Sequence, residues 1–230
     1  MLYTYAFLPN LPRSLELPFG IAAAVELLQV DDLAAIVEPH LAAETLHEND
    51  DRLMQAVVAH DRVIRQMFQQ TSLLPLRFGT QFVSRQGLVE HLEAHQSDYV
   101  AKLERFEGRA EYLLKLASVS LVEAPIAPDL KGKQYFLAKK EAYQAQVDWQ
   151  QQQQIELQAI AEAIAGQYSD WVRGDSGAAQ GDALSKVERF YILGDRVPER
   201  WLYEQLSVWQ RQHSAWEISL EAPLPPYHFV

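Results

Sequence analysis

His91 and His95 stand four residues apart, a spacing that puts two imidazoles on one helix face, and with Glu90 or Glu93 nearby they could hold a metal ion. His60, followed by Asp61 and Arg62, could support proton transfer. In the run LLPLRFGTQF, residues 73–82, Arg77 and the backbone of Gly79 and Thr80 could bind a phosphate or an acidic group. Each pattern also has a plainer structural explanation. The two histidines fall away from the apolar stripe Leu88, Leu92, Tyr99 and are read as solvated surface residues, and His60 with Asp61 as ordinary helix surface. The chain has no phosphate-binding glycine loop, dinucleotide fingerprint, zinc-protease helix, nucleophile elbow or calcium loop. We therefore expect no catalytic constellation, no metal site and no cofactor.

With 230 residues, 48% hydrophobic and 22% charged, the chain has the apolar material for packed cores and the length of two modest domains. Its formal charge of -11 repels a phosphate backbone, which argues against nucleic acid as a partner. The absence of cysteine rules out disulfides and thiolate metal sites and suits a reducing compartment. The first residues, MLYTYAFLPNLPRSLELPFG, lack the regions of a signal peptide. Charge or proline breaks every apolar run short of the roughly 18–20 residues that a membrane span needs. A cytoplasmic protein without membrane contact is expected.

Periodicity predicts the helices and strands that carry the candidate residues. LYTYAFL, residues 2–8, puts Tyr3, Tyr5 and Phe7 on one face and predicts a strand ended by Pro9 and Pro12. Over 21–39 an alanine-rich composition favours a helix, whereas Asp31-Asp32 between two apolar runs favours a hairpin; the hairpin is expected. Leu53, Val57, Ile64 and Phe68 predict an amphipathic helix over 49–68. Leu88, Leu92, Tyr99, Leu103 and Phe106 predict another over 86–106, capped by Ser84. Between them, 73–82 reads as an edge or irregular strand with Leu74, Leu76, Phe78 and Phe82 toward the core and Pro75, Arg77, Gly79 and Gln81 on the other face.

A boundary near FEGRA, residues 106–110, predicts an N-terminal domain over 1–108 and a C-terminal domain over 109–230 that carries the tail. In the second, 111–119 predicts a strand and 135–168 one long helix. Its expected seam is Phe136, Tyr143, Val147, Leu157, Ala161 and Ile164, with the glutamines 150–154 inside the helix. A surface loop over 173–182, a strand over 183–193, a helix over 197–213 with Pro198 in its first turn, and a strand over 215–221 complete the series. The expected fold class is α+β: a ferredoxin-like split βαβ unit at the C-terminal end, beside a modified α+β sandwich.

Four segments follow one another along the chain: LLPLRFGTQF after a helix containing HDRVI, then GRAEYLLKL, then KGKQYFLAKK, and the terminal PLPPYHFV. With LPLRFGT as a specific signature and PPY-x-F reinforcing it, the chain resembles the gas vesicle protein F/L family, GvpF/GvpL, most of all the F type. The resemblance implies a two-domain α+β protein without enzymatic activity, a minor structural component or assembly factor of gas vesicles in the cytoplasm. The partners it implies are the small, very hydrophobic major shell subunit and other accessory gas vesicle proteins. Candidate partner or inter-domain contacts are Arg77, Gly79 and Thr80, and Pro225, Pro226, Tyr227 and Phe229 of the tail. An ion pair of Arg77 with a carboxylate of this chain is also expected, Glu111 being a candidate. Three prolines preorganise the tail, which should dock on its own molecule. Two other classes stay open: an enzyme of a ferredoxin-like α+β superfamily, which needs an enclosed polar pocket around Arg77, and a small-ligand regulatory module, which needs a cleft.

Overall fold

The computed structural model describes residues 1–11, 14–41, 49–121, 131–179, 182–196 and 199–230; the side chains of 178–179 and 182–185 are not described. The chain forms two compact units. One is Met1–Glu111 with Asp195–Val197 and Pro223–Val230, and the other is Tyr112–Gly194 with Pro198–Ala222.

In the first unit, β1 (Leu2–Pro9), β2 (Glu26–Val30), β3 (Leu33–Pro39) and β4 (Leu74–Pro75) form a sheet in the order β2-β3-β1-β4, and β5 (Gln81–Phe82) also pairs with β1. The aromatic and apolar side chains of β1 are buried on both faces from Tyr3 to Leu8, not on one alone. Asp31 adopts φ 47°, a left-handed conformation that aspartate tolerates and a helix interior does not, so the chain reverses there and Val30 pairs with Leu33. The hairpin prevails over the helix for that reason. The break expected at Pro12 lies outside the described residues.

Helix α1 (Asp50–Phe68) begins at Asn49, whose side chain accepts from the Arg52 amide at 2.8 Å. Asp50 and Asp51 sit at its positive end and Arg65 at its negative end. Its buried face is Ala56, His60, Val63, Ile64, Met67 and Phe68, while Val57 is exposed. The face is thus rotated from the expected one and takes in His60, which is a buried residue and not a surface one. The single strand expected over 73–82 is instead two short pairings, Leu74–Pro75 against Ala6–Phe7 and Gln81–Phe82 against Leu2–Tyr3. Pro75 has no amide to donate and Gly79 sits at φ 87°, so neither can continue a ladder through the middle. The helix expected over 86–106 breaks at His95 into α2 (Arg85–Ala94) and α3 (Gln96–Phe106), with Ser84 capping the first through the Gly87 amide at 3.0 Å.

The second unit contains β6 (Arg109–Ser118, whose first residues belong to the first unit), α4 (Lys133–Gln167), β7 (Trp171–Arg173), β8 (Gly177–Ala179), β9 (Asp182–Asp195), α5 (Arg200–Gln212) and β10 (Trp216–Leu220). Its sheet order is β10-β6-β9-β7, with β8 on β9. Alternate residues Leu114 and Leu116 of β6, Phe190 and Ile192 of β9, and Trp216 and Ile218 of β10 are buried, as strand geometry dictates. Within the surface loop expected over 173–182, Arg173, residues 177–179 and Asp182 belong to strands instead, and 180–181 lie outside the described residues. Arg173 and Ser176 reach the fully buried carboxylate of Glu188 on β9, at 2.8 and 3.0 Å, and Lys186 adds a third contact at 2.6 Å. Burial alone would raise the Glu188 pKa, but these hydrogen bonds outweigh it and hold the carboxyl below its usual range. Helix α5 starts at Arg200; Pro198 lies outside the described residues.

The two halves of α4 differ. Glu156, Leu157, Ile160 and Ile164 are buried, the Glu156 carboxylate accepts the Ala215 amide at 3.1 Å, and the Trp149 indole donates to the Val119 carbonyl at 2.8 Å. Phe136, Tyr143 and Val147, expected in the same seam, are 72%, 68% and 37% exposed. With 3.6 residues per turn, those three centre roughly a quarter of a turn around the helix from Leu157, Ile160 and Ile164, so the covered face is rotated away from the expected seam.

Candidate interaction surface

The first unit is organised around polar groups buried among aromatics. Glu38 is fully buried, and its carboxylate accepts the amides of Ile21, Ala22 and Ala23 at 2.7 Å each together with the Tyr5 hydroxyl. Burial and this hydrogen bond push the Tyr5 hydroxyl far above its ordinary pKa. Segment 20–23 can wrap the carboxylate this closely because residue 20 is glycine: a Cβ there would stand 2.1 Å from Glu38 Oε2.

Beside it runs a second chain of hydrogen bonds. His60 Nε2 lies 3.0 Å from the Leu76 carbonyl, which can only accept, so Nε2 carries the proton and Nδ1 accepts the Tyr3 hydroxyl at 2.9 Å. The Tyr3 oxygen in turn accepts the Gly79 amide at 3.1 Å. Burial raises the Tyr3 pKa to about 12 and lowers that of His60, so both are neutral in the folded protein at neutral pH. This relay fixes the turn between β4 and β5. Within the turn, the Thr80 amide and hydroxyl both donate to the Arg77 carbonyl, at 3.1 and 2.7 Å. Arg77 and Gly79 are exposed at the apex, and Thr80 is half-buried.

The tail docks on the first unit. Leu224 and Glu111 exchange backbone hydrogen bonds at 2.8 and 2.9 Å, and Pro225 and Pro226 are buried. The Tyr227 hydroxyl donates to Asp61 Oδ1 at 2.5 Å, while Arg65 holds the other oxygen. Glu111, fully buried, accepts the His228 amide at 2.8 Å and its ring Nδ1 at 2.8 Å. Both carboxylate oxygens are therefore engaged by His228, and the ion pair expected with Arg77 is not formed. Burial raises the Glu111 pKa, and the contacts with His228 offset only part of that rise. Phe229 is half-buried.

The adjacent residues His60 and Asp61 thus hold the two candidate segments: His60 the turn at Arg77–Thr80, Asp61 the tail at Tyr227. Sequence reasoning took both for plain surface and missed Glu38 altogether. The available signal was that His60 lies four residues from both Ala56 and Ile64, on the buried stripe. His91 and His95 do meet, with ring centroids 4.4 Å apart and planes tilted by 35°, but His91 is half-buried against Phe7 and Phe82 and bonds the Tyr99 hydroxyl at 2.8 Å. Among the described residues no three His, Asp or Glu side chains are grouped as a metal site. None of their helices is long and apolar enough to cross a membrane. A concavity of about 450 Å3 in the first unit is lined by Asn10, Asp32, Thr71, Val100, Glu104 and Glu107 among others, away from Arg77.

These observations define a mixed α+β protein whose buried polar side chains fasten its own segments. The gas vesicle synthesis protein GvpL/GvpF family matches residues 1–230, the whole chain, and the protein belongs to that family. The crystal structure of gas vesicle protein GvpF from Anabaena sp. PCC7120 superposes with a TM-score of 0.69 at 15% identity, covering 99% of this chain and 94% of that one. That of GvpF from Microcystis aeruginosa gives 0.69 at 14% identity, covering 99% and 98%. At such identity the likeness establishes the shared fold. No curated protein matches the chain.

Proposed function

We propose that this protein binds the hydrophobic major shell subunit of the gas vesicle in the cytoplasm and limits its aggregation while vesicles nucleate. Membership of the gas vesicle synthesis family over residues 1–230 carries this reading. The physics supports it: a subunit that lines a gas space exposes contiguous apolar surface, which associates indiscriminately in water unless covered. A partner with a formal charge of -11 covers such surface and keeps the complex dispersed. The role is binding, without catalysis or cofactor, and extends to other accessory gas vesicle proteins. Arg77, Gly79 and Thr80 are the contacts we assign to a partner; Pro225, Pro226, Tyr227 and Phe229 fasten the tail and so hold the surrounding surface in shape. We also read the second unit as a ferredoxin-like split βαβ domain beginning near residue 109, a reading supported by the sheet order β10-β6-β9-β7.

The test mixes refolding shell subunit with the protein at matched concentrations and follows turbidity and co-elution, with an inert protein of equal charge as control. Lower turbidity than the control, with co-elution, is expected. Turbidity equal to the control and separate elution refute the proposal.

A further inference from the structure

From Lys131 to Asp148 every residue is exposed except Ala138 and Ala142, which are half-exposed. Most of this stretch is the first half of α4, about four turns that pack against none of the described elements closely enough to bury a side chain. Its N-terminus does little to hold it as a helix. Gly132 at the N-cap, φ 60°, supplies no side-chain hydrogen bond, and the first turn contains no acidic residue. Lys133 stands in that turn and Lys131 just ahead of it, at the positive end of the helix dipole, where a cation is unfavourable. A helix of this length without tertiary packing is marginal in water.

The arrangement becomes intelligible if the helix is a docking face. Phe136, Lys140, Tyr143, Val147, Gln150 and Gln154 recur at alternating steps of four and three residues, the spacing of a seam that receives another helix. Phe136 and Tyr143 at 72% and 68% exposure are the large side chains of that seam. Around it the charge is inverted relative to the rest of the molecule. Lys131, Lys133, Lys139 and Lys140 are four of the seven lysines in a chain whose formal charge is -11, and the only acids between 131 and 148 are Glu141 and Asp148. An acidic protein that gathers its lysines around exposed aromatics repels itself elsewhere and attracts acid here.

We propose that the Phe136–Tyr143–Val147 stripe of α4 is the docking site for an amphipathic α-helix of a partner protein, one that packs an apolar stripe against these three residues and sets Asp or Glu side chains against Lys133, Lys139 and Lys140. This inference does not depend on the shell-subunit reading; failure of the shell subunit to co-elute leaves it standing.

The experiment titrates full-length protein into a labelled synthetic helix of about three heptads, with Ile and Leu along its seam and Glu on its flanks, and into a twin with Lys on the flanks, by fluorescence anisotropy. The Glu-flanked helix should bind and the Lys-flanked twin should not. Phe136→Ser with Tyr143→Ser should weaken binding about tenfold or more. Lys139→Glu with Lys140→Glu should exchange the preference, losing the Glu-flanked helix and gaining its twin. Equal binding of the two helices, or binding unchanged in either double variant, overturns the proposal. So do two results from the unliganded protein: sedimentation as a dimer that Phe136→Ser with Tyr143→Ser dissociates, which gives the face to a second copy, or binding to phosphatidylserine vesicles that the same variant abolishes, which gives it to a membrane.

Discussion

The tail and the first half of α4 are made of similar material and meet opposite fates. Each presents large aromatics, Tyr227 and Phe229 in one and Phe136 and Tyr143 in the other. The tail finds its partners within the chain: Pro225 and Pro226 are buried, Tyr227 bonds Asp61, and Glu111 takes both hydrogen bonds that His228 offers. The α4 stripe remains in solvent. Aromatic content therefore does not by itself mark a partner surface. What separates the two is whether the polar atoms beside the rings already have partners, since a docked ring with a satisfied hydroxyl has little left to offer another protein.

Four measurements test this contrast. The largest effect should come from the buried half of α4: Ile160→Ala is expected to cost about 2–5 kcal/mol in denaturant unfolding, and a loss under about 1 kcal/mol would mean that this half is as loosely held as the first. Deleting residues 223–230 uncovers Leu224's site and removes the Tyr227 hydrogen bond, for an expected loss of about 2–3 kcal/mol. An unchanged thermal midpoint would show the tail to be a free peptide after all.

A third effect is confined to a pH window. Burial holds the folded pKa of His60 below its ordinary value of 6.5, so the stability conferred by neutral His60 is complete above that value. As pH falls through and below it, the unfolded chain takes up the proton first and stability declines until the folded pKa is passed. His60→Gln should flatten that slope in urea midpoints measured over about pH 5 to 8; parallel profiles for the two proteins would place His60 in contact with water. The smallest effect belongs to the exposed stripe. Phe136→Ser should change stability by about 0.5 kcal/mol or less, and a larger loss would show that Phe136 packs within its own chain.

Much of the molecule was legible in the residues. Alternation in β10, the Ser84 cap and the tail's prolines each follow from local chemistry, and each holds in the structure. The errors share a cause. His60, the run 73–82 and the α4 seam are read from periodicity, which tells how residues are grouped around an element but not what lies opposite them. His60 changed from surface to core because Tyr3 and the Leu76 carbonyl face it. Within 173–182, Arg173 and residues 177–179 gain strand structure by pairing with β9, whose Glu188 supplies a buried carboxylate to Arg173 and Ser176.

The α+β class, the family and most of the helices and strands lie in the residues themselves, because caps, turn residues and hydrophobic spacing act over a few residues and need nothing distant. It took the folded chain to show that Glu38 draws segment 20–23 around itself, that Asp61 holds the tail, and that one half of α4 is covered while the other stays open. Burial is a relation between residues far apart in the chain, and a periodic pattern specifies only one side of it.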